Sequence, residues 1–239
     1  LIGLYANKNR FHTFPSHLAT LTNLFEIRLD QNFMKGSIPD DFKNLHHLEY
    51  FRVGRNQLSG TLSDEMFQKL THLKVLDVQR NSIKGELPPA LGGLSHIREL
   101  NLNHNGFSGK FPSWNHMHGL ESLYLNMNRL TGTLPTGLAS MTSLREFYVA
   151  NNRLTGPIPR EIVNCKKLET AVLDYNDFTG KVPVELGVLT KLEYLKISDN
   201  KFTGTVPDQV CDLTTKHTLE FFRADCKNEI TCDCCDECK

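Results

Sequence analysis

The sequence predicts an α/β solenoid of stacked units, each about 24 residues long, and two observations predict it. The first is a column of asparagines: Asn9, Asn32, Asn56, Asn81, Asn105, Asn128, Asn152, Asn176 and Asn200, spaced by 23 to 25 residues. The second is what surrounds each of them. Apolar residues sit eight, five and three positions before the Asn. Four positions after each of the last eight comes a glycine, from Gly36 to Gly204, and seven positions after comes a proline in seven of those eight.

Each element has a physical reason. The alternation before the Asn is a short strand that buries every second side chain. At the Asn the chain turns out of the strand. A carboxamide there can bond backbone groups of the neighbouring turn, so Asn32, Asn56, Asn81, Asn105, Asn128, Asn152, Asn176 and Asn200 are expected to form a buried polar ladder. The glycine permits a tight turn, and the proline stiffens the segment after it. One unit cannot bury its apolar face alone, so the units must stack.

The pattern, seen whole in "LREFYVANNRLTGPIP", resembles the leucine-rich repeat of the plant type, with its "LxGxIP" signature, over residues 1 to about 225. The resemblance implies a right-handed superhelix, with a parallel sheet on the concave side and short second strands and 3₁₀ turns covering the rest. About ten concave strands are expected. Three units depart from the pattern. The first lacks the glycine. The third has Ser63 for proline and one extra residue. The fifth is a residue short, with Trp114 near a leucine position, where it is expected to fill the core gap.

Seven cysteines divide into one and six. Cys165 falls at a buried repeat position and is expected to act as a small hydrophobe. Cys211, Cys226, Cys232, Cys234, Cys235 and Cys238 crowd the end, where an open apolar face needs a lid. The expected organisation is a repeat array over 1–210 and a disulfide-rich cap over 211–239, with Leu219 to Cys226 as one last degenerate strand. Six cysteines allow 15 pairings. A Cys211–Cys226 link, tying the last repeat to the cap strand, is the expected one. Zinc is the weaker reading: C-x-C-C-x-x-C lacks two ligand pairs separated by a loop. Disulfides imply an extracellular or cell-surface setting, or another oxidising lumen. The ending "ADC…ITCDCCDEC" also resembles the cysteine-rich tails that close such repeats in diatom-type algal proteins.

The totals narrow the function. Lys+Arg and Asp+Glu are both 27, so the net charge is zero and nothing favours nucleic acid as a partner. No run reaches the roughly 18 apolar residues of a membrane span. No leader segment is visible, because residue 1 already lies inside a patterned unit; the chain is expected to be part of a longer protein. The absence of any N-x-Ser/Thr triplet argues weakly against heavy glycosylation. No phosphate loop, HExxH or GxSxG occurs, and His104, His116 and His118 belong to different surfaces of the unit, so neither catalysis, a metal nor a cofactor is expected.

Binding is expected on the concave face, whose columns vary from unit to unit. A basic zone holds Arg28, Arg52, Arg55 and Arg80; an aromatic zone holds Tyr124, Met127, Tyr148 and Tyr175; an acidic zone holds Asp174, Asp199 and Asp225. Arginine and tyrosine are enriched at binding hot spots. The expected partner is a peptide or protein, with a glycan as the alternative. The competing readings are an assembly component of a wall, matrix or larger complex, and an inhibitor of wall-degrading enzymes. An ice-binding surface would need a regular Thr or Asn column, which the concave columns lack.

Overall fold

The strands predicted before each asparagine form one parallel concave sheet. The computed structural model describes residues 2–216, 218–226 and 230–238. Eleven strands lie in chain order, from Gly3–Tyr5 through Tyr50–Arg52, Glu99–Asn101 and Glu146–Tyr148 to Phe221–Ala224 and Glu237–Cys238. The last one was not expected from the sequence. The chain turns back after the cap and lays Glu237 beside Arg223 and Cys238 beside Ala224. The remaining strands pair in a constant register: Arg28, Arg52, Asp77, Asn101, Tyr124 and Tyr148 are successive partners across the sheet.

A second sheet of six strands, from Lys84–Glu86 to Lys201–Phe202, lies beyond the asparagines. Its turns need glycine. Gly156 has φ 74°, and a Cβ there would come 2.7 Å from Thr133 Cγ2. After the prolines the chain makes single 3₁₀ turns, such as Asp40–Asn44 and Thr136–Ser140. The third unit differs as its sequence does. Ser63 takes the place of proline and accepts a hydrogen bond from Met66 N at 3.4 Å, capping a true α-helix, Asp64–Lys69, which accommodates the extra residue.

The core is built of repeating columns of Leu, Ile, Val and Phe, most of them fully buried. Trp114 is fully buried in the short fifth unit, packed edge-on to Phe111 at 5.2 Å. Gly92 makes room for it, since a Cβ there would approach Trp114 Cδ1 to 2.6 Å. Cys165 is fully buried and unpaired, and burial pushes its thiol up to about 12.

The asparagine ladder repeats one bonding scheme eight times. The Nδ2 of Asn152 donates to Val149 O in its own unit (2.9 Å) and to Leu125 O in the unit before (3.0 Å), and its Oδ1 accepts from Leu130 N at 2.9 Å. Asn32, Asn56, Asn81, Asn105, Asn128, Asn176 and Asn200 do the same at the equivalent atoms. Each carboxamide thus satisfies polar backbone groups of two units at once. Asn9, at the leading end, bonds only Ala6 O and Asn7 O and lies exposed. At the other end the Asp225 carboxylate accepts from Asp199 N (2.8 Å) and Asn200 N (3.1 Å), closing the ladder.

All six terminal cysteines pair, so the cap holds no thiolate for zinc. The pairs are Cys211–Cys234, Cys226–Cys238 and Cys232–Cys235. The expected Cys211–Cys226 link is therefore wrong. Cys211 lies in the helix Asp208–Lys216 and joins the tail at Cys234, while Cys226, just past the last repeat strand, joins the eleventh strand at Cys238. The register sets Cys226 opposite Asp199, one place short of the ladder position.

Candidate binding face

Two side-chain columns of the concave sheet face outward: one through Glu26, Tyr50, Glu99, Ser122 and Glu146, the other through Arg28, Arg52, Asp77, Asn101, Tyr124 and Tyr148. A third column, immediately before the asparagines, is not strand. Arg55, Arg80, Met127, Tyr175 and their equivalents all have φ between 50° and 59°, the left-handed conformation. The sequence reading placed them on the strand. The cost of about 1 kcal/mol or more per non-glycine residue is opposed by a bond that recurs with every turn, such as Arg55 N to Gln79 O at 2.7 Å. The turn lifts these side chains to the rim of the sheet.

The basic zone divides in two. Arg28 bonds Glu26 at 2.5 Å and lies over the Tyr5 ring at 5.7 Å. Arg52 reaches Glu99 at 3.4 Å. Both guanidiniums are thus engaged by carboxylates of the face, Arg28 at its exposed surface and Arg52 half-buried. Arg55 and Arg80 are exposed at the rim and make no ion pair among the described residues. Burial, together with the charges of Arg80 and Arg55, holds the imidazole of neighbouring His104 below its usual value.

The aromatic zone divides between the two columns. Tyr124 and Tyr148 are half-buried with ring centroids 5.2 Å apart, and Met127 and Tyr175, on the rim column, are each 43% exposed. Tyr124 donates its hydroxyl to Glu146 Oε2, and Ser122 donates to the same oxygen at 2.8 Å. Burial, reinforced by Glu146, pushes the Tyr124 hydroxyl well above its ordinary value, so it stays protonated.

The acidic zone is largely internal. Asp174 is buried, paired with Arg223 at 2.5 Å, and accepts Ser198 N at 3.1 Å. Burial raises its carboxyl against the pull of Arg223. Asp225 is engaged by backbone as the end of the ladder. The zone expected to be open to a partner is therefore mostly closed, because its carboxylates meet donors of the last two units.

The sequence reading missed the middle of the face. Asp77 is buried and accepts from Gln79 N (3.0 Å) and Nε2 (3.1 Å). It fits because Gly54 has no side chain; a Cβ there would come 2.8 Å from Asp77 Oδ1. Burial raises both Asp77 and Glu99 above the usual carboxylate range, with Arg52 opposing in each case. Glu26 and Arg28, two apart on one strand, were readable as a same-face pair.

Leucine-rich repeat models match residues 60–107, and again 119–141, 143–165 and 191–213. The chain is a leucine-rich repeat protein of the plant type. It is 34% identical over 161 residues to receptor-like protein 35 of Arabidopsis thaliana, a match covering 57% of this chain and 17% of that protein. Among solved structures it resembles the plant peptide hormone receptor RGFR1 in complex with RGF2, at 28% identity and TM-score 0.85, covering 91% of this chain and 34% of that one. It also resembles the Arabidopsis receptor kinase HAESA in complex with the peptide hormone IDA and the co-receptor SERK1, at 27% identity and TM-score 0.88, covering 94% and 38%. The leucine-rich repeat chain thus spans under two fifths of any of these three proteins. No helix among the described residues is long and apolar enough to cross a membrane.

Proposed function

We propose that this chain is a peptide-recognition module of an extracellular or cell-surface protein, and that it binds through the concave face. The observation that carries the reading is the ring pair Tyr124–Tyr148 on the parallel sheet, flanked by a rim column that carries accessible Met127 and Tyr175 and, further along, Arg55 and Arg80, which are exposed and make no ion pair among the described residues. Rigid aromatic anchors next to cations are the composition of binding hot spots. Two of the resembling structures carry a peptide hormone, which agrees with this reading. Three disulfides suit an oxidising compartment. Within this module residues 1–210 supply the face and 211–239 close its end; Arg28 and Arg52 shape the face and Arg55 and Arg80 meet the ligand.

The test is selection of random peptides displayed on phage against the purified chain. Selected peptides are expected to lose at least about tenfold in affinity for Tyr148→Ala and for Arg55→Ala with Arg80→Ala, consistent with hot-spot losses of about 2 kcal/mol. Peptides indifferent to all three substitutions would remove the reading and leave an assembly role on the flanks.

A further inference from the structure

The centre of the concave face has an excess of acceptors. Asp77, Asn101 and Tyr124 are successive register partners, and Glu99 and Glu146 lie on the adjacent column. Three carboxylates, Asp77, Glu99 and Glu146, stand here against one guanidinium, Arg52. The hydroxyls of Tyr124 and Ser122 are already donated to Glu146. Asn101 is 7% exposed, and its Oδ1 is buried without a hydrogen-bond partner. A buried acceptor left unmade is costly, by about 1–3 kcal/mol. Its terminal torsion is soft, so the carboxamide can turn toward a donor arriving at the face. Beside it stand the paired rings of Tyr124 and Tyr148, whose faces attract cations.

We infer that this central site takes a cationic side chain of the bound peptide, a guanidinium or ammonium group seated against Tyr124 and Tyr148 and bonded by Glu99 and Asn101. The inference rests on the peptide-binding reading and deepens it. An anionic group would face three carboxylates here; a neutral one would leave the charge excess unmet. The cation supplies the donor that Asn101 lacks and a further one for Glu99, which otherwise has Arg52 at 3.4 Å, and it neutralises carboxylates that burial already disfavours as anions. The exposed arginines at the rim, Arg55 and Arg80, lie on a separate column and serve a different part of the ligand.

The experiment titrates the whole chain with N-acetyl-arginine N-methylamide, with its lysine counterpart, and with the neutral citrulline counterpart, following the ring signals of Tyr124 and Tyr148 by NMR. Saturable shifts are expected with arginine, lysine or both, which identifies the cation, and none with citrulline. Glu99→Gln and Glu146→Gln should each weaken binding about tenfold or more. Glu65→Gln, which removes an exposed partner of Lys43 outside the face, should leave it unchanged. Equal responses to arginine and citrulline, or indifference to both face substitutions, would overturn the inference. Selected peptides that need Tyr148 yet show no enrichment in Arg or Lys would also overturn it while leaving peptide recognition intact. Arginine binding without any Tyr148-dependent peptide would do the reverse.

Discussion

The repeat array and the cap are stabilised by different means. In the array, each ladder Asn ties two units by hydrogen bonds at equivalent atoms, so order is distributed and every unit depends on its neighbours. In the cap, order is covalent. Three disulfides join a helix, a strand end and a short tail within 28 residues of one another in sequence, from Cys211 to Cys238. A periodic region can rely on a ladder because the partner is always one turn away. In the cap, cross-links between helix, strand end and tail take the place of that ladder.

The contrast can be broken from either side. The largest effect is expected from reducing all three disulfides. The chain-entropy model gives about 3 kcal/mol for the loop closed by Cys211–Cys234 alone. Hydrogen exchange should show Phe221–Ala224 losing protection while Ser122–Tyr124 keeps it; simultaneous loss at both would mean the cap controls the whole array. Next comes Asn152→Ala, which strands the groups at Leu125 O, Val149 O and Leu130 N. We expect a loss of about 3 kcal/mol in denaturant melts, against less than about 1 kcal/mol for Asn9→Ala, whose bonds go to Ala6 O and Asn7 O of its own unit. Similar losses at both sites would contradict the ladder's role.

A smaller effect concerns Asp77. Burial raises its folded-state carboxyl above the unfolded value, so the folded state holds the proton more tightly. Its ionisation therefore destabilises the fold as pH rises through that window, and the effect is absent below the unfolded value. Asp77→Asn should raise stability in denaturant melts at pH 7, by about 1 kcal/mol or less, with the gain gone near pH 3. A gain that persists at acid pH would point to another cause. The smallest effect is chemical. Native alkylation should modify no thiol, because Cys165 is fully buried and burial pushes its thiol up to about 12. Denaturation without reduction should expose one thiol, and reduction all seven. Native labelling of Cys165 would show that the array opens.

Legibility in the sequence divides along the same line. The strands, the ladder and the glycine turns were legible because each is stated eight or nine times, and Trp114 because its unit is visibly short. The left-handed column was not. Lys8, Gln31, Arg55, Arg80, His104, Met127 and Tyr175 share no chemistry that signals positive φ; the turn imposes it from outside. The pairing in the cap was misread because spacing does not determine which of 15 connections forms. On the binding face, composition located the arginines but not their partners. Arg28 and Arg52 are occupied by Glu26 and Glu99, and only the register between strands shows it.

That constant register sets a scale for any extended ligand laid across the strands. Neighbouring strands are about 4.8 Å apart, whereas an extended chain advances about 3.3 Å per residue. Three ligand residues therefore match two repeats, like the graduations of a vernier. Successive side chains of an extended chain point to opposite faces, so a peptide crossing this face would present an inward side chain in phase only at every fourth unit. Arg52 and Tyr148 are four units apart in that register, so such a ligand would meet these two in phase and the strands between them out of phase.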